Sequence, residues 1–312
     1  MLGRHFAALV TIFALKYKFI LIIVNRQEIW FVVNPFSGRV KNHQKVVNLI
    51  ESLLDKQRYK HRIIETRAAG HASDIAAEAA VKQVPFIVAM GGDGTVNETA
   101  KALVGSSSAL GILPMGSGNG LARELGISMN AVNAIQQLNY ASLRPIDTCY
   151  ANEIPFFCTA GLGFDAQCAY VFAGMKGRGL MNYVKAGFSE FWSYKPVACL
   201  FGGNEYEVFS ITFGNARQFG NNAYIAPIAQ IDDGFIDCTL ISPMPLWGVP
   251  GMVNSLFNQT IHESAYTESY RSTLFRLKGK DRLLIHFDGE PRHLGTDELT
   301  ISIKQKSLLV MT

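Results

Sequence analysis

Charge is what this sequence has little of: Asp, Glu, Lys and Arg make up 17% of its 312 residues, against about 25% in an average soluble domain. With 48% hydrophobic residues, that balance excludes a disordered chain and allows a large buried core. The positive excess is only +4 and is spread along the chain, so no nucleic-acid partner is expected, although an anionic ligand or membrane surface stays compatible. Cysteine is scarce too. Cys149, Cys158, Cys168, Cys199 and Cys238 contain no Cys-x-x-Cys pair, and their odd number disfavours a disulfide framework. A reducing cytoplasm fits. No Gly-x-x-x-x-Gly-Lys-Ser/Thr occurs, so no P-loop lysine holds phosphates. No Gly-x-Ser-x-Gly elbow offers a hydrolase serine. Apolar runs are short as well: Phe6 to Leu15 is separated from Phe19 to Val24 by Lys16-Tyr17-Lys18, too little to cross a bilayer. With no small-residue cleavage site following, residues 1–25 read as an extension upstream of the first core strand, with a membrane-touching helix as the alternative.

What the chain does have is a recurring unit of apolar strand, glycine-rich loop and helix. Ile29 to Val33 runs into Asn34-Pro35-Phe36-Ser37-Gly38; Pro85 to Met90 into Gly91-Gly92-Asp93-Gly94-Thr95; Ala109 to Leu113 into Pro114-Met115-Gly116-Ser117-Gly118-Asn119-Gly120. Between the first two lie a further strand, His61 to Thr66, and a helix after Gly70-His71. Alternation of this kind makes a parallel sheet whose post-strand loops share one edge. Helix starts there carry unpaired N–H groups and a positive dipole end, so several converging on one crevice favour the phosphates of a nucleotide. Near Ile146-Asp147 the texture changes to period-two alternation, as in Glu207 to Phe213 and Leu299 to Ile303, which indicates an antiparallel β domain. The expected division is therefore an α/β domain over 26–147 and a β domain over 148–312, with an aromatic helical insert near 172–194. Gly161-Leu162-Gly163-Phe164-Asp165-Ala166 matches a dinucleotide fingerprint only loosely, outside a βαβ context, and reads as chance.

Gly91-Gly92-Asp93-Gly94-Thr95-Val96-Asn97-Glu98, with Val33-Asn34-Pro35 upstream and Pro114 to Asn119 downstream, resembles the catalytic domain of the diacylglycerol kinase and sphingosine kinase superfamily. The resemblance runs from Ile29 to Thr312. It implies a Rossmann-like α/β nucleotide-binding domain, of the phosphofructokinase and NAD kinase kind, followed by an antiparallel β-sandwich, with the active site between them. It also implies ATP and Mg²⁺ as cofactors and a lipid alcohol such as diacylglycerol or a sphingoid base as acceptor. Such an enzyme would be cytoplasmic, peripheral at the inner membrane face, and compatible with a homodimer. A soluble-substrate kinase of the NAD kinase type and an inactive lipid-binding protein are the alternatives.

Carried onto matching positions, the resemblance gives Asn34 and Thr66 to the nucleotide site. Gly91, Gly92, Asp93, Gly94, Thr95 and Asn97 would wrap the phosphates, together with Gly116, Ser117 and Asn119. Thr95, Asn97 and Ser117 read equally well as helix-capping residues. Gln230-Ile231-Asp232-Asp233-Gly234-Phe235 resembles a segment holding a structural magnesium through the Asp233 carboxylate and the carbonyls of Gln230 and Phe235; without the family it is a plain turn. Asp288-Gly289-Glu290 follows the apolar run Leu283 to Phe287. On an extended chain residues two apart share a face, so the two carboxylates are expected side by side, raising one pKa toward that of a base. Relatives use this glutamate as proton acceptor, which assigns Glu290, with Asp288 beside it; Asp93 is the rival base or a magnesium ligand. The insert, with Phe172, Met175, Lys176, Arg178, Tyr183, Lys185, Phe188, Phe191 and Trp192, is expected to admit the acyl chain and touch the membrane.

Overall fold

The structure is a computed structural model that describes residues 26–37, 43–175 and 190–312. Strands made entirely of apolar residues need cover on both faces, and the first half is built that way. β1 (Gln27–Val33) lies between β2 (Tyr59–Glu65) and β3 (Phe86–Gly91), and β3 pairs β4 (Ala109–Pro114), all in parallel. Ile29 to Val33 are buried to 2% exposure or less. Helix α1 (His43–Leu53) packs on α5 (Ala131–Tyr140), and α2 (His71–Val81) on α3 (Asp93–Leu103); α4 (Gly120–Glu124) is a short turn of helix after β4. Asn130 caps α5, its side chain accepting from the N–H groups of Val132 and Asn133.

In the second half, β5 (Leu143–Ala151) and β6 (Ile154–Phe156) lead into β7 (Thr159–Gly163) and α6 (Phe164–Gly174). Then come β8 (Val197–Phe201), β9 (Asn204–Val208), β10 (Ser210–Gly214), β11 (Ile236–Ile241), α7 (Val249–Phe257), β12 (Thr267–Ser272), β13 (Leu274–Gly279), β14 (Leu284–Phe287), β15 (Glu290–His293) and β16 (Glu298–Met311). One sheet, in the order β12-β11-β10-β7-β14-β15, is antiparallel throughout. Facing it is the continuation of the first sheet, β4-β16-β13-β8-β9, with β5 paired to β16. Phe201, Phe213 and Phe275 fill the space between them, ring centres 5.4–6.4 Å apart. An α/β half followed by a β sandwich is thus the architecture. All five cysteines are free and buried.

Two expectations need correction. Glu207 to Phe213 is not one strand: the chain leaves the first sheet at Val208 and enters the second at Ser210. Phe209 at the crossover donates its N–H to Ile241 and accepts that of Phe164. Alternation reports which side chains are buried, not which partner strand buries them. Likewise Leu299 to Ile303 is only the start of β16, which passes a bulge between Lys304 and Leu308 and joins β4 in parallel through Leu309 and Val310. The last strand therefore stitches both halves together, and position 147 lies inside β5. Of the expected insert, Phe172 and Met175 fall in or beside α6, while Phe191 packs on Phe164 and Phe209. Lys176, Arg178, Tyr183, Lys185 and Phe188 lie outside the described residues, as do residues 1–25.

Candidate active site

The loops after β1, β3 and β4 meet at one sheet edge, as a parallel sheet requires. Asn34 donates its backbone N–H to Met90 and Met115 donates to Gly91, at 3.0 and 2.8 Å. The approach is backbone to backbone: a Cβ on Gly116 would stand 2.9 Å from the Cα of Gly92, so only glycine permits it. Side chains then knit the loops. Asn34 Nδ2 donates to Thr95 Oγ1 at 3.1 Å, while its Oδ1 accepts from Phe36. Asn119 Nδ2 donates to the Gly91 carbonyl, and Arg123 Nε to that of Gly118. Thr66 is buried after β2, its N–H on the Val33 carbonyl.

Asp93 ties two of these loops together. Its two carboxylate oxygens accept the N–H groups of Asn119 and Gly120, at 3.0 and 2.9 Å, capping the start of α4. A carboxylate so engaged locks the second glycine loop to the third; it is not placed as a free base. What remains for phosphate is the glycine backbone, Ser117 exposed at the loop tip, and the amide of Asn97. Asn97 is 4% exposed, and its Nδ2 has no hydrogen-bond partner among the described residues. An orphaned buried donor costs on the order of 1–3 kcal/mol and fits a phosphate oxygen. ATP therefore suits the loops.

Glu290 stands opposite. A Cβ on Gly94 would lie 3.1 Å from Glu290 Oε1, which puts the carboxylate at the start of α3, beside the glycine loop. The residue is open to the surface, yet burial raises its pKa above the usual glutamate value, against Lys101, with Asp288, Glu98 and Asp93 adding to the rise. Asp288 does not share its face. Asp288 and Gly289 have φ of +50° and +85°, a two-residue hairpin turn that pairs Phe287 with Glu290. The chain reverses between the two acids, so the extended-strand expectation fails. Asp288 instead turns its carboxylate onto the N–H groups of Phe157, Cys158 and Thr159, at 2.7–3.0 Å. Burial raises its pKa, and those three donors oppose the rise. It anchors the turn on the β6–β7 connection and holds Glu290 over Gly94. Gly94→Ala tests this contact: helix propensity should raise stability by about 0.5–1 kcal/mol, while the added methyl displaces the carboxylate and lowers kcat about tenfold, read by melting and steady-state kinetics together.

Comparison with known proteins bears on this arrangement. The diacylglycerol kinase catalytic domain matches residues 28–151, and the YegS C-terminal NAD kinase beta sandwich-like domain matches 159–312. The chain belongs to the diacylglycerol kinase catalytic-domain family. It is similar to a protein of Klebsiella pneumoniae described as "Probable lipid kinase YegS-like", at 30% identity over 69% of this chain and 74% of that one. A Pseudomonas putida protein of the same description is 30% identical over 72% and 77%. In fold it is similar to a crystal structure of a diacylglycerol kinase from Bacillus anthracis str. Sterne, with a TM-score of 0.67, 20% identity, and coverage of 91% of this chain and 96% of that one.

The family's magnesium segment does not fit a cation as it is arranged here. Asp233 Oδ1 accepts the Phe235 N–H, and Oδ2 is taken by the guanidinium of Arg271, which lies over the Phe235 ring and 3.8 Å from Asp237. The positive charge beside Asp233 is thus internal. Gln230, Asp233 and Phe235 belong to a loop tied to β5, where Asp147 accepts from Gly234 and Lys306 and donates to Ile231.

Some features of the site escaped the sequence reading. Lys101 follows Gly94 by seven residues and Asn97 by four, hence on one helix face; that spacing was a usable signal. Arg217 pairs with Glu124 across the two halves, and the Phe219 carbonyl would be 3.4 Å from a Cβ on Gly120. No local pattern foretells these contacts, since they join segments far apart in the chain.

Proposed function

We propose that the chain transfers the γ-phosphate of ATP to the hydroxyl of a lipid such as diacylglycerol or a sphingoid base. The observation that carries this reading is the Glu290 carboxylate held beside Gly94, at the mouth of the glycine loops. Phosphoryl transfer asks the protein mainly for position and charge compensation. Backbone N–H groups of the loops and Asn97 bind the phosphates; Glu290 orients the acceptor hydroxyl and takes its proton. Mg²⁺ accompanying the nucleotide would compensate phosphate charge. Family membership supports a phosphotransferase, and the YegS-like description of the relatives supports a lipid acceptor.

A peripheral place at the inner membrane face, with lipid as partner, goes with this reading. No described helix is long and apolar enough to cross a membrane, while Trp192 and Trp247 are 67% and 82% exposed, as suits side chains meeting an interface. A homodimer is compatible with the reading. Incubation with γ-labelled ATP and a total lipid extract should yield a labelled lipid; label appearing only on NAD would replace this reading with the soluble-substrate alternative. Because a base must be ionised and Glu290 has a raised pKa, the acidic limb of the kcat/KM profile should lie above pH 4.5. A limb at or below that value would remove Glu290 as base.

A further inference from the structure

Between α6 and the second sheet lies a buried polar pair that the reaction as described does not use. His286, on β14, is 2% exposed, and Asp165, in the first turn of α6, is 8% exposed. His286 Nε2 lies 3.1 Å from Asp165 Oδ2, the same oxygen that accepts the Thr212 hydroxyl at 2.7 Å; Asp165 Oδ1 accepts the N–H of Ala166. The other ring nitrogen, Nδ1, faces the N–H of Gly289 at 3.4 Å. That geometry fixes the tautomer: Nδ1 must accept from an N–H, so Nε2 carries the proton and donates it to Asp165.

Burying such a pair between α6 and the strands β7 and β14 is costly without a return in hydrogen bonding. The neighbouring strand is cut back to admit it: a Cβ on Gly161 would stand 2.3 Å from Asp165 Oδ2 and 2.9 Å from His286 Nε2. The ring also meets Phe219, 5.8 Å between centres, from the loop that rests on Gly118 and Gly120. Both residues of the turn are therefore held from below. Asp288 fastens the turn through its carboxylate on one side, and His286 receives the Gly289 N–H on the other.

We propose that Asp165 and His286 act as positioning residues: Asp165 orients the His286 ring, whose Nδ1 fixes the Asp288–Gly289 turn and so sets where the Glu290 carboxylate points. The inference rests on the reading of Glu290 as base. The order of action is outward from the core, Thr212 and Ala166 holding Asp165, Asp165 holding His286, and His286 holding Gly289. Neither residue touches the reacting atoms.

The test uses the full chain, in lipid-phosphorylation assays with each variant's melting curve, and amide hydrogen exchange at Gly289. Asp165→Asn and His286→Leu should lower kcat about 10-fold to 100-fold, the range that misplacing a catalytic group produces, with KM for ATP within about twofold. The Gly289 amide should exchange faster in both. His286→Asn is the discriminating variant. Its Oδ1 falls where Nδ1 was and can accept the Gly289 N–H, so it should recover most of the kcat lost in His286→Leu, although it too loses the Asp165 contact. Wild-type kcat in His286→Leu overturns the inference. So does a loss in His286→Asn equal to that in His286→Leu with the Gly289 amide unchanged, which marks the pair as core packing alone. Should Glu290→Gln be fully active, the base assignment falls instead, and Gly289 exchange still decides whether the pair holds the turn.

Discussion

Glu290→Gln should lower kcat by about 10²–10⁴, the usual worth of a positioned general base, while KM for ATP changes little. Glutamine keeps the size and the contact with Gly94 but cannot accept the hydroxyl proton. The split between kcat and KM matters because no described hydrogen bond of the glycine loops depends on Glu290. Steady-state kinetics against ATP and a lipid acceptor measure both at once. The acidic limb of the pH profile should vanish with the substitution. Activity within threefold of wild type would leave the site without a base, since both oxygens of Asp93 are committed to Asn119 and Gly120.

Asp288→Ala should fail in a different way, through stability. It strands the N–H groups of Phe157, Cys158 and Thr159, and a net cost of about 2–4 kcal/mol is expected from unmade hydrogen bonds of this kind. The melting temperature should fall by roughly 3–6 °C for a protein of this size. Asp288→Asn gives a cleaner signature in pH. The folded-state pKa of Asp288 lies above 3.8 because burial outweighs its three donors. The folded state therefore binds the proton more tightly than the unfolded chain does, and stability contributed by this group is lost as pH rises from 3.8 through the folded pKa. Removing the titration should flatten that part of the stability curve. Unchanged melting in Asp288→Ala would show that the turn stands without its anchor.

The contrast between these two acids shows how far residue order reaches. Gly91 to Thr95 and Pro114 to Asn119 announced a phosphate site because strand-to-helix connections in a parallel sheet must converge, and because glycine is what lets Gly92 and Gly116 approach. Apolar periodicity likewise gave the α/β half and the β half, since burial on one or both faces is written into local composition. Asp288 and Glu290 were expected to lie side by side on one face of an extended chain. The hairpin turn separates them, one into the β6–β7 connection and the other toward α3.

Sequence by itself determined the family and the meeting of the glycine-rich loops at one sheet edge. These depend on short-range spacing, which fixes local backbone geometry. Tertiary structure alone decided that Asp93 caps α4, that Arg271 supplies the charge beside Asp233, that β16 joins both sheets, and that Asp165 and His286 sit beneath the catalytic turn. Each of those pairs residues tens to more than a hundred positions apart. Whether a carboxylate is a base, a cap or a counter-ion depends on which donors the folded chain brings to it.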